Sequence, residues 1–282
     1  MFEKWSRGVI IALVLILAIP ATAALASTPS GLPLQVELGD SWTFGEGASD
    51  PATTGYAGIV YESNRTAIDC LPAQTEQAAD GCLELQRAIY ARKGTAENPG
   101  VTTDRLINEQ LAQATSLIGQ RNGDSNPRND VEVILLSVGG NDVSGPVLQA
   151  CLGGLTAACI SVISERIGHV NENLDVILGS IRGAAGTETR IVITTYDNAI
   201  AHCPLGSVPG AIQLGALVLE GNPALGITGL NEVIRARAAE HGVAVADTFG
   251  RLGAGRWVGD CLHPNDAGHA VIGEIAAEAA QS

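Results

Sequence analysis

Uninterrupted apolar runs recur along the chain, and their length is that of strands. Four strong runs and one weaker run cover residues 34–38, 131–138, 190–195, 243–247 and, more weakly, 56–61. A continuous apolar run of this length is typical of a strand that is buried on both faces of a parallel sheet. These runs are therefore the candidate strands of the fold.

Segments with helical spacing of apolar residues alternate with these runs. The predicted helices cover residues 104–118, 161–181, 227–241 and 265–280. Strands that alternate with helices predict an α/β fold, in which helices cover both faces of a parallel sheet. Residues 119–130 are rich in Gly, Asn and Asp and predict a surface loop, and residues 203–222 predict an irregular insertion.

The start of the chain has the pattern of a secretory signal peptide. Lys4 and Arg7 give it a basic beginning, an apolar stretch covers residues 9–19, and small residues lead to Ala26. We predict cleavage after Ala26, which leaves residues 27–282 as a single domain in a secreted protein. An uncleaved membrane anchor is the alternative, although the apolar stretch is short for a membrane span.

The composition narrows the classes of partner. With 16 Lys and Arg against 30 Asp and Glu, the net charge is −14 at pH 7, which disfavours nucleic acid and anionic lipid as partners. Aromatic residues make up only 4% of the chain, which argues against aromatic platforms for sugars or bases. We expect a monomer that acts on a small-molecule or lipid ester and has no stable membrane insertion after signal cleavage.

Six cysteines in an exported chain predict three disulfides. Fifteen connectivities are possible in principle, and order along the chain favours Cys70 with Cys82, Cys151 with Cys159, and Cys203 with Cys261. The alternative is a zinc site, which would use Cys203, Cys261, His202 and His263 but lacks paired Cys-x-x-Cys spacing.

Two separated blocks carry the residue types of acyl transfer. Gly39, Asp40 and Ser41 follow the first apolar run, where a strand would end in a glycine-assisted turn. Asp260 and His263 are three residues apart, so that the carboxylate can reach the imidazole within one short loop. We predict Ser41 as the nucleophile, His263 as its base and Asp260 as the acid that orients the base.

Further polar groups follow the predicted strands. Asn141 lies in a glycine-rich turn after one strand, and Asp197 follows another. Ligands of open parallel sheets bind beyond the carboxyl ends of the strands, so the site is expected at that edge. The Asn141 amide and the backbone N–H groups of Ser41 and Gly100 could together stabilise an oxyanion.

These blocks resemble the SGNH hydrolases, also called the GDSL family of esterases and lipases. The matching blocks are Gly39-Asp40-Ser41, Gly100, Gly139-Gly140-Asn141-Asp142 and Asp260 through Pro264. The resemblance implies a flavodoxin-like three-layer α/β/α sandwich and a Ser–His–Asp triad. It also implies an oxyanion hole that consists of Ser41, Gly100 and Asn141. No metal and no organic cofactor is required by this chemistry.

The chain departs from the family pattern in two places. Trp42 replaces the usual leucine after the serine, and Asn98-Pro99-Gly100 replaces a Ser-Gly-Ala-Thr type of block. The competing α/β-hydrolase fold would need Gly-x-Ser-x-Gly, which the sequence lacks. A second Gly-Asp-Ser at residues 123–125 follows a polar segment rather than an apolar strand, and we do not assign it a role.

Each candidate also has a structural interpretation. Ser41 could cap a helix, Asp260 with His263 could be a surface ion pair, and Asn141 could be a turn residue. We expect Asp40 and Asp142 to hold loop backbones. Solvated or structural roles are expected for His169, His241 and His269, and His202 has no assigned role.

An ester hydrolase that acts on acyl esters or lipids is the function predicted from these residues. A carbohydrate O-acetyl esterase would use the same machinery, and a binding protein that retains the fold without turnover is a third interpretation. The apolar residues of the insertion could line an acyl pocket, and about half of them are expected to pack on the sheet. They are Leu205, Val208, Pro209, Ile212, Leu214, Leu217 and Val218.

Overall fold

A five-stranded parallel sheet organises the residues described in this computed structural model, which are residues 32–69, 85–94 and 100–281. The strands are β1 (Leu34–Gly39), β2 (Gln86–Ile89), β3 (Val131–Ser137), β4 (Arg190–Thr194) and β5 (Ala244–Ala246). Neighbouring strands are parallel, and their order across the sheet is β2-β1-β3-β4-β5. This is the order of flavodoxin-like sheets, whose connections diverge between β1 and β3.

Helices cover both faces of this sheet. They are α1 (Ser41–Phe44), α2 (Tyr56–Asp69), α3 (Thr103–Leu106), α4 (Ala112–Asn122), α5 (Gly140–Cys151), α6 (Ala157–Ala185), α7 (Ala211–Glu220), α8 (Leu230–Glu240) and α9 (Asp266–Ala279). The π-helical turn Ile107–Leu111 joins α3 to α4. Helices α2 and α9 pack together on one face, while α4, α5 and α8 pack around α6 on the other. The predicted three-layer α/β/α sandwich is confirmed.

Strands β1 and β3 lie in the most buried part of the core. Every residue of β1 is buried, and all of β3 is buried except Glu132. A fully buried Leu or Ile side chain contributes roughly 1.5–3 kcal/mol through its removal from water, whereas a buried charge is costly unless it is paired, which explains why these segments are almost free of charge. The four strong strand predictions agree with the structure to within one residue at each end.

The weak strand predicted at residues 56–61 is wrong, because this segment forms the first turns of α2. Its fully buried residues Tyr56 and Val60 are four apart, as on one face of a helix. The fifth strand is instead β2, a partly exposed edge strand whose polar composition concealed it. Arg87 of β2 donates hydrogen bonds of 2.6 and 2.9 Å to the buried carboxylate of Glu37 in β1, which connects the two strands.

The insertion at residues 203–222 was expected to be irregular, and this is wrong over its second half, which forms α7. The two prolines that suggested irregular backbone, Pro204 and Pro209, both precede the helix. The loop predicted at residues 119–130 begins late, because α4 continues to Asn122.

The apolar residues of the insertion divide into two groups. Val218 is buried, and Leu214 and Leu217 pack against the hydrophobic core. Leu205, Val208, Pro209 and Ile212 are exposed. About half were expected to pack on the sheet, and three of the seven pack against the hydrophobic core.

Two of the predicted disulfides are present, Cys151–Cys159 and Cys203–Cys261. The pair Cys70 and Cys82 and the predicted signal peptide lie outside the described residues, so both stay predictions. The described residues belong to one compact unit. No helix within them combines the length and the apolar character that crossing a membrane requires.

Candidate active site

Ser41 lies just beyond the carboxyl end of β1, as the first residue of α1. The strand ends at Gly39, whose φ of 112° is left-handed, and a Cβ atom there would overlap the carbonyl oxygen of Ser137. The Gln110 amide accepts a hydrogen bond from the Gly39 N–H at 2.8 Å and donates one to its carbonyl at 2.9 Å. Glycine is therefore required at position 39, and the turn that presents Ser41 is fixed on two sides.

Asp40 is the N-cap of α1 and the centre of a buried polar network next to Ser41. Its Oδ1 accepts hydrogen bonds from the Trp42 N–H at 3.0 Å and from Ser137 Oγ at 2.6 Å. Its Oδ2 accepts a hydrogen bond from the Tyr196 hydroxyl. Burial raises the pKa of Asp40 to about 6, although these hydrogen bonds act in the opposite direction. Asp40 thus holds the backbone of the serine turn.

The three predicted catalytic side chains form a continuous hydrogen-bonded chain. Ser41 Oγ lies 2.9 Å from His263 Nε2, and His263 Nδ1 lies 2.6 Å from Asp260 Oδ2. In the tautomer with its proton on Nδ1, the imidazole donates to Asp260 and can accept the serine proton at Nε2. This geometry brings a hydroxyl, a base and an orienting carboxylate together as acyl transfer requires.

The loop that carries His263 is fixed by its own backbone. Asp260 Oδ1 accepts hydrogen bonds from the N–H groups of Leu262 and His263 at 2.9 and 3.0 Å. Partial burial acts to raise the pKa of Asp260, but the hydrogen bonds from His263 and Leu262 outweigh it and leave that pKa below its usual value. Asp260 is therefore ionised at neutral pH and can stabilise a protonated imidazole.

Cys261 gives the same loop an unusual backbone and a covalent anchor. Its φ is 63°, and among the described residues it is the one non-glycine residue with a left-handed backbone. Such a conformation costs of order 1 kcal/mol or more and persists where the surroundings enforce it. The disulfide to Cys203 supplies that constraint and connects the loop to the insertion that follows β4.

Trp42 connects the serine turn to the histidine loop. Its indole Nε1 donates a hydrogen bond to the Leu262 carbonyl at 3.1 Å. Its ring packs against Tyr196 and Trp257, with centroid distances of 5.0 and 6.0 Å. The leucine that the SGNH hydrolases usually have here could not donate this hydrogen bond.

Asn141 and Gly100 are in direct contact. Asn141 lies in the first turn of α5, and its Nδ2 donates a hydrogen bond to the Val101 carbonyl at 3.0 Å. A Cβ atom on Gly100 would lie 2.5 Å from Nδ2 and 2.6 Å from Oδ1 of Asn141. Position 100 therefore has room for glycine alone while the amide keeps this place. The second N–H of the Asn141 amide is available to a ligand.

The sheet brings this pair to the same edge as Ser41. Strands β1 and β3 are neighbours, with Gly39 paired to Ser137, and the connections diverge between them. The start of α5 is tied to the start of α3, since Thr103 donates its N–H and hydroxyl to the Asp142 carboxylate at 2.9 and 2.6 Å. Burial raises the pKa of Asp142 against these hydrogen bonds. Asp142 holds loop backbone, as expected.

The remaining histidines lie apart from the Ser41 hydroxyl. His169 and His241 form exposed hydrogen bonds of 2.8 Å to acidic neighbours. His269 is buried, where its Nδ1 accepts from the Tyr56 N–H and its Nε2 lies 3.0 Å from the Glu46 carbonyl. Burial lowers the pKa of His269. Their contacts are structural, as expected.

Two other residues named from the sequence lie outside the hydrogen-bonded chain of Ser41, His263 and Asp260. Asp197, although it follows β4, accepts hydrogen bonds from the backbone N–H groups of Gly250 and Leu252 and so holds a loop. His202 is exposed at the end of a 3₁₀ turn. The Cys203–Cys261 disulfide takes both sulfur atoms that the alternative zinc site would need.

Sequence reasoning missed three residues that support the site: Gln110, Ser137 and Tyr196. Each contacts Gly39 or Asp40 through a buried side chain from a distant element. Tyr196 directly follows the predicted strand 190–195, and Ser137 lies near the end of the predicted strand 131–138, which was a usable signal. Gln110 lies in the π-helical turn, and no local pattern marks it.

A cavity of about 390 Å³ lies between α6 and α8 and is lined by residues such as Ile167, Asn171 and Val233. It includes none of Ser41, His263 and Asn141. The arrangement of reactive groups, rather than the size of a cavity, therefore locates the candidate site.

A sequence model described as the GDSL-like Lipase/Acylhydrolase family matches residues 38–271. The chain belongs to this family. It is accordingly a hydrolase that acts on esters. The match begins in β1, includes the Ser41 turn and the Asn141 turn, and continues past the His263 loop into α9. A search of curated protein sequences finds no significant match.

Solved structures with the same fold include two lipases. An extracellular lipase from Streptomyces rimosus superposes with a TM-score of 0.58 at 18% identity, covering 87% of this chain and 98% of the lipase. The lipase Lip_vut3 from a goat rumen metagenome superposes with a TM-score of 0.57 at 18% identity, covering 88% and 97%. At 18% identity, the likeness establishes that this chain shares the fold of these two lipases.

Proposed function

We propose that this chain is an exported serine esterase that cleaves carboxylic acyl esters, with lipid esters as its preferred class. The observation that carries the proposal is the unbroken hydrogen-bonded chain from Ser41 through His263 to Asp260, with distances of 2.9 and 2.6 Å. Residues separated by more than 200 positions meet there in the geometry of a nucleophile and its base.

The reaction proceeds through an acyl-enzyme. His263 Nε2 takes the proton of Ser41 as Oγ attacks the ester carbonyl, while Asp260 orients the imidazole and stabilises its positive charge. The tetrahedral intermediate collapses, and His263 gives the proton to the leaving alcohol. Water then attacks the acyl-Ser41 ester with the same histidine as base, which releases the acid and restores the hydroxyl.

Three donors are suited to hold the developing oxyanion. Ser41 is the first residue of α1, so its N–H has no intrahelical acceptor. The Asn141 amide keeps one N–H for the ligand, and the Gly100 backbone lies against that amide. Loss of one such donor typically lowers kcat by roughly 10²–10³.

Export is supported by the chemistry of the cysteines and by the start of the chain. Disulfides form and persist in oxidising compartments, and the described residues contain two. The pattern of residues 1–26 supplies a route out of the cytoplasm.

The preference for acyl esters rests on the surroundings of the base. Leu262, next to His263, is about half exposed, and the insertion anchored to Cys261 presents Leu205 and Val208 to solvent. Apolar side chains beside the reacting centre favour a hydrocarbon substituent over a hydrated sugar.

The test is hydrolysis of a p-nitrophenyl ester series from acetate to palmitate. Ser41→Ala is expected to lower kcat by about 10⁴-fold or more. Ser125→Ala is the matched control, because Ser125 belongs to the exposed second Gly-Asp-Ser and should retain full activity. Turnover that peaks at medium or long chains supports the acyl ester class.

Other outcomes discriminate the alternatives. Acetate-only turnover would favour an O-acetyl esterase of glycans. Esterase activity that survives in Ser41→Ala would overturn the catalytic assignment, and a folded, oxidised wild type without turnover would favour the binding protein.

A further inference from the structure

In the described part of this acidic chain, two long segments carry no Asp, Glu, Lys or Arg. They are residues 143–164 and residues 198–219. At the charged fraction of the whole chain, 16%, a segment of this length would hold three or four such residues. We call the two segments together the uncharged rim.

Both segments leave the carboxyl edge of the sheet, where Ser41 lies. The first begins within α5, directly after β3, and the second follows β4, which is the neighbour of β3. The site and the rim therefore share one end of the fold.

The turn between α5 and α6 projects well beyond this edge. Asn173 of α6 donates a hydrogen bond to Thr103 Oγ1, and Thr103 donates to Asp142 at the start of α5. These hydrogen bonds place Asn173 level with the carboxyl edge of the sheet. At 1.5 Å per residue, the start of α6 at Ala157 lies about 24 Å further along the helix axis.

The rim is apolar as well as uncharged. Six of the ten large hydrophobic side chains that are exposed in the described part of the chain lie in it. They are Leu148, Leu152, Leu155, Leu205, Val208 and Ile212. Leu152 is 80% exposed, at the turn after α5. Clusters of exposed apolar residues on an otherwise charged protein mark interaction surfaces.

The rim continues to the candidate nucleophile. The Cys203–Cys261 disulfide places the second segment next to Leu262, a seventh exposed hydrophobic residue. Leu262 precedes His263, and its carbonyl accepts the hydrogen bond from Trp42 beside Ser41. The apolar surface of the second segment thus reaches the reacting groups.

We propose that the uncharged rim binds the enzyme to an electrically neutral lipid surface, so that an ester in the outer layer reaches Ser41 directly. The purpose of this lipid binding rests on the proposed esterase function. The binding itself can be measured without esterase activity. A surface without charge enters the lipid headgroup region with no ion to desolvate. The remainder of the protein has a net charge of −14 and is repelled by anionic lipid.

The test is co-sedimentation with vesicles of dialkyl-ether phosphatidylcholine, which contain no carboxylic ester. Binding is therefore independent of turnover and of the triad. The wild type is expected to bind, and Leu152→Glu with Leu205→Glu is expected to weaken partitioning by at least about tenfold, because each leucine loses apolar contact and gains a charge. The control is Val176→Glu with Leu225→Glu, which adds the same charge at exposed sites outside the rim.

The expected pattern is loss of binding in the rim variant and retention in the control, with both folded by circular dichroism. Replacing about a third of the lipid by ether phosphatidylglycerol should weaken wild-type binding at low salt. No wild-type binding, equal loss in both variants, or tighter binding to anionic vesicles would each overturn the proposal. A wild-type dimer that the rim variant abolishes, without vesicle binding, would assign the rim to a second copy of the chain instead.

Discussion

At the scale of single residues, the contact between Gly100 and Asn141 makes the two proposed oxyanion donors depend on each other. Asn141→Ala removes an amide donor and is expected to lower kcat by roughly 10²–10³. Gly100→Ala is expected to lower kcat comparably, because its Cβ would lie 2.5 Å from Asn141 Nδ2 and must displace the amide. Steady-state kinetics on a soluble p-nitrophenyl ester measures both.

The double variant separates this coupling from independent effects. If Gly100→Ala acts by displacing the Asn141 amide, it should cost little further kcat in the Asn141→Ala background. Losses that multiply in the double variant would contradict the contact and assign Gly100 an effect of its own. Asn141→Asp keeps the shape without the N–H donors and serves as the matched control.

The residues of the site differ in how far the sequence could predict them. Ser41 and Asn141 follow strands, and Asp260 and His263 share one short loop, so local spacing alone marked them as candidates. Asp40 was predicted to hold backbone, but its partners Ser137 and Tyr196 are 97 and 156 residues away. Such contacts exist only through the order of the strands, which local patterns do not encode.

At the scale of elements, the two disulfides should differ in what they support. Cys203–Cys261 closes a separation of 58 residues and Cys151–Cys159 one of 8. The loop-entropy relation gives about 4 and about 2.5 kcal/mol of stabilisation respectively. Replacing either pair by serine should therefore lower the free energy of unfolding, measured by urea denaturation.

Only one of the pairs should affect the chemistry. Cys261 lies between Asp260 and Leu262 with a left-handed backbone, so Cys203→Ser with Cys261→Ser should let the His263 loop relax and lower kcat by about tenfold or more. Cys151→Ser with Cys159→Ser is the control and should keep kcat on a soluble ester. An equal fall in kcat for both pairs would attribute the effect to general destabilisation.

The elements that the sequence did not predict correctly depend on physical features that local composition does not show. Residues 56–61 have the apolar composition of a strand, yet they bury one helical face, and composition alone does not distinguish the two. Strand β2 is held by the ion pair between Arg87 and Glu37 and by its position at the edge of the sheet. Neither property appears as an apolar run.

At the scale of the whole molecule, the buried network around Asp40 makes stability depend on pH. The network joins β1, α1, β3 and the segment after β4 through Trp42, Ser137 and Tyr196. Burial raises the pKa of Asp40 to about 6 from a reference value of 3.8. The folded protein therefore holds this proton more tightly than the unfolded chain does.

The resulting contribution to stability is fully present below about pH 4 and is lost as the pH rises through about 6. A shift of about two pKa units corresponds to about 3 kcal/mol. Asp40→Asn removes the titration while its side chain can still accept the Trp42 N–H. We expect the free energy of unfolding of the wild type, relative to Asp40→Asn, to fall by most of that amount between pH 4 and pH 7.

Urea denaturation of both proteins across this pH range measures the difference. The titration of His269 occurs in both proteins and largely cancels, so the pH dependence that remains is assigned to Asp40. A difference that is constant with pH would show that Asp40 keeps an ordinary pKa. A difference that rises with pH would show that hydrogen bonds from Ser137, Tyr196 and Trp42 outweigh the cost of burying the carboxylate.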